Sequence, residues 1–315
     1  MPVGATRSLP AADAQPLPPA EKRVPAFIPC HPKDLPTVSF CVDGLRRHPQ
    51  VTSVTMIAPA ELRPHSEALG VGFLDELSLL DPWFPSDEPM SDRRWYYQMF
   101  LKLSVAFMAD GAPDRFLICD ADTVLLHPFP LIDEESGTVL HPRMGEHVMP
   151  YYSGMRELLG HEIAYEGSHN AHFMVFRAPI IRAMFAEFAR VQERRPDEGR
   201  AVLREFLQRC DRDKLSFADY ETYGYYAREH FPDELRWVSR RQLNVLYVSP
   251  REPVLARLRP FYHYSSFHAY RRPDSIALRV AGSSWLALRL ARDRLSGRPI
   301  EQPGDPAERA VSRAT

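Results

Sequence analysis

The chain has 315 residues, of which 44% are hydrophobic and 25% are charged, and its formal net charge is −2. These values are typical of a globular protein with a substantial core, and the near-neutral charge gives no reason to expect a nucleic-acid partner. No apolar run approaches the ~20 residues of a membrane-spanning helix, and the N-terminus lacks the apolar core of a secretory signal, so we expect a cytoplasmic location.

Short apolar runs alternate with helical patterns through the middle of the chain. In chain order they predict a strand at PAFIP, a helix at DLPTVSFCVDGLRRH, a strand at VTSVTMIA, a helix at DRRWYYQMFLKLSVAFMADG and a strand at RFLICDADTVLL. Further on, SHNAHFMVFRAPIIRAMFAEF predicts a strand that leads into a helix. This alternation favours a single-domain α/β fold of Rossmann type, with a mixed, mostly parallel sheet flanked by helices.

The two ends of the chain differ from its middle. Residues 1–24 are rich in Pro and Ala, and residues 296–315 are polar and contain several prolines, so both segments are predicted to be disordered tails. Between them we expect one domain over residues 25–273 and an amphipathic helix over residues 274–295. We expect this helix to pack against the domain, and the alternative is peripheral contact with the inner face of an anionic membrane.

Two carboxylates follow the most apolar strand of the chain. The run from Phe116 to Cys119 is typical of a central parallel strand that is buried on both faces, and Asp120 and Asp122 follow at its carboxyl end. Residues two apart in a strand point to the same side with Cα atoms ~6.6 Å apart, so both carboxylates can face one object. Because two such anions repel each other, they favour a divalent cation, Mn²⁺ or Mg²⁺, between them. The alternative is that one Asp caps a turn and the other faces water.

Three segments of the sequence together resemble those of a known enzyme family. The segment CDADT after an apolar strand, with WYYQMFLKL before it and ADYETYG far downstream, resembles the DxD nucleotide-sugar glycosyltransferases of GT-A fold, especially a bacterial group associated with surface polysaccharide. The resemblance implies that the aspartates hold Mn²⁺ or Mg²⁺ on the diphosphate of a sugar donor. Asp122 would be the firmest metal ligand, and Asp120 would touch the donor ribose or the metal. The implied activity is transfer of a hexose to a hydroxyl of a glycan or lipid-linked acceptor.

The helix before this strand carries polar side chains on one face. Trp95, Gln98 and Lys102 are spaced i, i+3 and i+7 beside an apolar stripe. A Lys and a Gln beside a metal site are suited to bind a nucleotide sugar, with the Lys as a point charge for a phosphate. The alternative is that Lys102 is solvated and that Trp95 is a packing residue.

The downstream segments carry further candidates by the same resemblance, which places Asn170 and His172 on the acceptor side of the pocket. In ADYETYG, Asp219 stands where the family usually has Glu, Glu221 matches directly, and Tyr223 becomes a candidate acceptor contact. If the reaction inverts the anomeric centre, Asp219 or Glu221 must remove the acceptor's proton, and if it retains, they position the acceptor. A helix N-cap also explains Asp219.

The segment FYHYSSFHAYRRP concentrates histidines, aromatics and arginines near the end of the predicted domain. The resemblance implies a C-terminal His that completes the metal shell, followed by a basic residue and a Pro that close over the diphosphate. His263 with Arg272 and Pro273 matches this arrangement, and His268 is the alternative ligand. Imidazole is an acceptable partner for Mn²⁺.

Two other interpretations stay open. The stretch FLICDADTVL also matches haloacid-dehalogenase-like phosphatases, in which Asp120 is the nucleophile and Asp122 the general acid. The long region before the motif and the lack of a later GDxxxD-like motif speak against this interpretation. The third hypothesis is a non-catalytic glycan-binding relative. The spacing of residues in the sequence does not determine the sugar, the nucleotide, the acceptor, the stereochemical outcome or the oligomeric state, because these depend on pocket shape.

Overall fold

The computed structural model describes residues 22–80, 94–109, 111–210, 216–268 and 276–296. The strands of these ranges are β1 (Val24–Pro29), β2 (Val51–Ala58), β3 (Gly72–Asp75), β4 (Arg115–Cys119), β5 (Thr123–Leu125), β6 (Val139–Pro142), β7 (Phe173–Arg177), β8 (Leu235–Val238), β9 (Gln242–Leu246) and β10 (Tyr264–His268). The helices are α1 (Leu35–Arg46), α2 (Arg63–Leu69), α3 (Glu76–Leu80), α4 (Arg94–Ser104), α5 (Met149–Leu159), α6 (Ala178–Val191), α7 (Gly199–Arg209), α8 (Asp219–His230), α9 (Glu252–Leu258) and α10 (Ile276–Leu295).

The central sheet has five strands in the order β3-β2-β1-β4-β7. Strand β1 runs parallel to β2 and β4, and β2 runs parallel to β3, whereas β7 is antiparallel to β4. Every residue of β4 is buried, as a strand covered on both faces requires. The predicted mixed, mostly parallel sheet flanked by helices is therefore confirmed.

Alternate residues of β4 enter two different cores, because successive strand side chains point to opposite faces. Phe116 and Ile118 pack into a cluster that contains residues of α4, α5, α6 and α8. Leu117 and Cys119 pack into a second cluster that contains residues of α1. The apolar run that predicted this strand thus serves both helical layers.

The strand predicted over RFLICDADTVLL is two strands in different sheets, which corrects the prediction. β4 ends at Cys119, and β5 belongs to a second sheet of order β5-β10-β9. In that sheet β10 is antiparallel to β5 and parallel to β9. Asp120 and Asp122 therefore lie in the turn that joins two sheets, and strand alternation does not set the directions of their side chains.

The other predicted segments are found close to their expected positions, and α10 matches the amphipathic helix predicted over 274–295. The tail predictions fall mostly on residues 1–21 and 297–315, which lie outside the described residues, and Val24 already belongs to β1. In the described part of the chain, no helix combines the length and the apolar character that crossing a membrane demands.

Candidate active site

Backbone hydrogen bonds hold the turn between β4 and β5. The amide N of Asp120 donates to the carbonyl of His172 at 2.9 Å, and the amide N of Thr123 donates to the carbonyl of Asp120 at 2.9 Å. The amide N of Phe267 donates to the carbonyl of Asp122 at 2.8 Å. These bonds tie the turn to the start of β7 and to β10, so both aspartates are fixed at the carboxyl edge of the central strands, where open α/β sheets bind ligands.

Asp120 is the centre of an ion-pair network. Lys102 Nζ lies 2.7 Å from Asp120 Oδ1 and 3.3 Å from Asp219 Oδ2. The hydroxyl of Tyr220 donates to Asp120 Oδ1 at 3.0 Å, and His172 Nδ1 lies 3.4 Å from Asp120 Oδ2. Burial acts to raise the pKa of Asp120, but Lys102 and His172 outweigh it and hold the pKa well below its usual range. Asp120 is therefore ionised.

Lys102 is a buried cation shared by two carboxylates. Burial acts to lower the pKa of Lys102, but the charges of Asp120 and Asp219 raise it above its ordinary value, so the ammonium is kept. Burial raises the pKa of Asp219, and Lys102 opposes that rise. Asp219 is the first residue of α8, and Ala218 occupies the N-cap, so the N-cap interpretation of Asp219 is wrong.

Asp122 has a different environment from Asp120. His268 Nδ1 lies 3.8 Å from Asp122 Oδ2, and the rings of His172 and His268 are 5.2 Å apart. Burial, and then the charge of Asp120, raises the pKa of Asp122 to about 7. A partly buried carboxylate with a raised pKa is stabilised in its ionised form when a cation binds beside it.

The structure places His268 beside Asp122, whereas His263 lies elsewhere. His263 immediately precedes β10 and His268 ends it, so at ~3.3 Å per residue their Cα atoms are about 16 Å apart. His263 Nδ1 accepts a hydrogen bond from the amide N of Arg241 at 3.1 Å, and its ring packs edge-on against Phe129 with centroids 5.7 Å apart. The geometry therefore corrects the preferred candidate ligand from His263 to His268.

The side chains at this edge have the donor types that a divalent cation accepts. Asp120, Asp122 and His268 offer carboxylate oxygens and an imidazole nitrogen, which suit Mn²⁺. Within the described ranges, no three His, Cys, Asp or Glu side chains converge as a preformed metal site. Lys102 already neutralises Asp120, so the residues fit a cation on the side of Asp122 and His268 whose remaining ligands come from a bound molecule.

The loop after β1 also reaches this edge of the sheet. Asp34 is 7% exposed, and its Oδ2 accepts a hydrogen bond from the amide N of His31 at 3.3 Å. Burial raises the pKa of Asp34, and the negative charge of Asp120 adds to the rise. The carboxyl ends of β1 and β4 thus meet in one acidic region.

Glu221 holds the loop that precedes β7. Its carboxylate accepts hydrogen bonds from the Ser168 hydroxyl and, at 3.0 Å, from the amide N of His169. Burial raises the pKa of Glu221 to about 7 against the effect of these two bonds. One turn later, a Cβ on Gly224 would lie 2.3 Å from the His169 ring, so the glycine allows this close packing. Because both of its oxygens are engaged inside the protein, the geometry favours a positioning role for Glu221 over the predicted role as a base.

Two of the three candidate acceptor residues lie on a loop, and the third lies in the core. Asn170 Nδ2 donates to Glu146 Oε2 at 3.1 Å, and His172 has a left-handed backbone with φ of 64°, which is uncommon for a residue other than glycine. Both lie on the loop before β7. Tyr223 is 2% exposed, and its hydroxyl accepts from the amide N of Arg177 at 2.9 Å. The prediction of Tyr223 as an acceptor contact is therefore wrong, since it faces the core.

The remaining donor-side candidates lie on or beyond α4. Gln98 is half-buried one turn before Lys102. The side chain of Trp95, and Arg272 with Pro273, lie outside the described residues. Tyr220 was not predicted from the sequence. Adjacent helix residues normally point in different directions, so helical spacing gives no signal for it. The placement of α8 brings Tyr220 and Asp219 into one network.

Comparison with solved structures finds partial likenesses at low identity. Mouse xyloside xylosyltransferase 1 is 13% identical with a TM-score of 0.42, and the match covers 79% of this chain and 99% of that one. The galactosyltransferase LgtC, solved with donor and acceptor sugar analogues, is 11% identical with a TM-score of 0.46 and coverages of 89% and 98%. Glucosyl-3-phosphoglycerate synthase from Mycobacterium tuberculosis, solved with Mn²⁺ and uridine diphosphate, is 11% identical with a TM-score of 0.36 and coverages of 69% and 70%. No protein-family profile and no curated protein matches the sequence.

Proposed function

We propose that the protein is a metal-dependent glycosyltransferase that moves a sugar from a nucleoside-diphosphate donor to a hydroxyl of a glycan or lipid-linked acceptor. The convergence of Asp120, Asp122, Lys102 and His268 at the carboxyl edge of β4 carries this proposal. The cluster offers carboxylate and imidazole groups that bind a cation, and a buried ammonium holds one of the carboxylates in place. A bound cation would stabilise the negative charge that develops on a leaving nucleoside diphosphate.

The roles of the donor-side residues follow from their contacts. Asp122 and His268 would hold Mn²⁺ or Mg²⁺, with Asp120 beside them, and the bound ion supplies positive charge to the diphosphate leaving group. Lys102 and the Tyr220 hydroxyl orient Asp120, and the charges of Lys102 and His172 keep it ionised. Gln98 and Arg272 remain proposals for donor contacts.

The loop before β7 is our candidate for the acceptor side. Its half-buried Asn170 carries an amide, and amides are suited to hydrogen-bond sugar hydroxyls. Glu221 fixes this loop through the Ser168 hydroxyl and the amide N of His169. Asp219 and Glu221 are both buried and engaged within the protein, which favours positioning roles and hence a retaining transfer over an inverting one.

The phosphatase interpretation is weaker in this geometry. A nucleophilic Asp120 needs a carboxylate oxygen that is available to attack phosphorus. Asp120 Oδ1 instead contacts Lys102 and Tyr220, and Asp120 Oδ2 lies 3.4 Å from His172. The arrangement suits a fixed anion better than an attacking group.

A thermal-shift titration tests the proposal, because a ligand of the folded state raises its apparent stability. Nucleoside diphosphates and their sugars are added with and without Mn²⁺, and donor turnover is then followed by release of nucleoside diphosphate. We expect a shift that depends on Mn²⁺, is lost in Asp122→Asn and is kept in Asp43→Asn, an exposed control on α1.

Three outcomes contradict parts of the proposal. Full donor turnover in metal-free buffer contradicts the proposed metal dependence. Phosphate release from a generic phosphomonoester supports the phosphatase. Donor binding without turnover across acceptors supports a non-catalytic glycan-binding relative.

A further inference from the structure

Helix α10 is anchored to the domain by one face. Leu286 and Leu290 are 6% and 7% exposed and belong to a hydrophobic cluster with residues of β9 and α9. On the same side, the Tyr262 hydroxyl donates to the buried Asp293 carboxylate. A Cβ on Gly282 would lie 2.8 Å from Cβ of Tyr247, so the helix approaches the domain closely there. This face accounts for the stable attachment of the helix.

The opposite face of α10 is also apolar and is exposed. Val280, Trp285, Leu288 and Leu295 are 59%, 46%, 72% and 89% exposed. At 100° per residue these four side chains fall within an arc of about 140°, on the side of the helix opposite to the buried residues. An amphipathic helix that only packs against its own domain needs a single apolar face. The second face therefore requires a partner.

Charge indicates what kind of partner fits. Helix α10 has four arginines against one aspartate, which gives it a charge of +3. Because the whole chain has a formal charge of −2, the remainder carries −5, so the helix has the opposite sign of net charge to the rest of the chain. Arg292 lies within the exposed apolar arc, and Arg289 and Arg294 flank it. Leu and Trp beside Arg are the composition of helices that lie in the interface of anionic membranes.

Other occupants fit less well. Symmetric pairing of two copies through this face would bring Arg292 and Arg294 of one copy close to those of the other, which is electrostatically unfavourable. The chain segments 1–21 and 297–315 contain no aromatic residue and few large apolar residues with which to cover Trp285 and Leu288. A lipid surface supplies both the apolar layer and the negative charge.

We propose that α10 docks the protein on the surface of a membrane that contains anionic lipids. Trp285, Leu288 and Leu295 enter the boundary between headgroups and acyl chains, and Arg292 and Arg294 pair with lipid phosphates. This inference goes beyond the proposed transferase activity and does not depend on it. Because α10 packs beside β9 and β10, docking sets the orientation of the candidate active site relative to the bilayer.

Co-sedimentation with vesicles tests the proposal on the full chain. Sucrose-loaded phosphatidylcholine vesicles are compared with vesicles that also contain phosphatidylglycerol, at low and high salt. We expect binding to the anionic vesicles that weakens with salt. The double variant Trp285→Ser/Leu288→Ser should reduce partitioning by about tenfold or more. Arg292→Gln with Arg294→Gln should reduce it by about fivefold per arginine at low salt.

The controls separate lipid docking from general effects on folding. Leu77→Ser removes a leucine of α3 that is 60% exposed, and it should bind vesicles like the wild type. Circular dichroism checks that every variant is folded, as expected for exposed positions. Lack of wild-type binding, or undiminished binding by Trp285→Ser/Leu288→Ser, overturns the proposal. So does binding that ignores lipid charge and salt, or a concentration-dependent dimer that this double variant abolishes.

Discussion

Replacement of Lys102 by methionine should destabilise the fold, because it removes a buried cation that the carboxylates of Asp120 and Asp219 share. Lys102 is 4% exposed and lies 2.7 Å from Asp120 and 3.3 Å from Asp219. Methionine keeps much of the aliphatic stem, so the change tests the charge more than the packing. Removal of one partner of a buried ion pair typically costs about 3–5 kcal/mol. We expect a loss near the lower end of this range, since Asp120 keeps contacts with Tyr220 and His172.

The loss should depend on pH. Burial raises the pKa of Asp219 even with Lys102 in place, and removal of Lys102 raises it further. The folded variant then binds a proton more tightly than the unfolded chain, so this contribution to stability is present at low pH and is lost as the pH rises. We therefore expect a smaller deficit for Lys102→Met at pH ~5 than at pH ~8, and partial recovery, by about 1–2 kcal/mol, in Lys102→Met/Asp219→Asn.

Urea unfolding followed by circular dichroism measures these free energies for the wild type, both single variants and the double variant. Lys22→Met, at an exposed lysine, is the matched control and should stay within ~0.5 kcal/mol of the wild type. A deficit of Lys102→Met below ~1 kcal/mol, the range of exposed ion pairs, would refute the reasoning. An equal deficit at both pH values would refute the part that concerns Asp219.

Three further substitutions test other parts of the site. Asp122→Asn should raise the melting temperature above that of the wild type, and by more at pH ~8 than at pH ~5. Burial raises the pKa of Asp122 to about 7, so wild-type stability falls as the pH rises to that value. Calorimetry at both pH values measures the difference. Ser168→Ala should cost about 1–3 kcal/mol in urea unfolding, since it leaves an oxygen of buried Glu221 without its donor. Gly224→Ala should cost about 1–3 kcal/mol in the same assay, because the new Cβ would lie 2.3 Å from the His169 ring.

Matched controls exist for each of these substitutions. Asp43→Asn and Ser284→Ala change exposed residues and should leave stability nearly unaltered. Gly145→Ala adds a Cβ with no atom within 4 Å and should be tolerated. A pH-independent effect of Asp122→Asn would mean that its carboxylate is ionised at both pH values. A neutral Ser168→Ala would mean that water replaces the hydroxyl, and a neutral Gly224→Ala would mean that the ring repacks.

The central sheet and its acidic edge were predictable from sequence because both depend on local patterns. The run FLIC in β4 is apolar without interruption, which is typical of a strand covered on both faces, so Asp120 and Asp122 were expected at its exit. The burial of Lys102 was not predictable, since a lysine beside an apolar helical stripe is usually solvated. Its burial depends on carboxylates from the turn after β4 and from α8, which are distant from each other in sequence.

The choice between the two C-terminal histidines shows the same limit. His263 and His268 lie in one aromatic-rich segment, and local composition does not distinguish them. The register of β10 on β5 decides, because Ser266 pairs with Thr123 and so brings the carboxyl end of β10 to the two aspartates. That pairing joins residues 143 positions apart, a separation on which no periodicity gives information.

The pairing of β5 with β10 also sets the order in which the site is completed during protein synthesis. The ribosome delivers Lys102 and both aspartates early, yet β5 has to wait for a strand that begins at Tyr264. Closure of so long a loop is slow, so it falls at the end of folding. A nascent or prematurely terminated chain accordingly carries the acidic turn without His268, so the cation site that we propose is incomplete until the whole domain has formed.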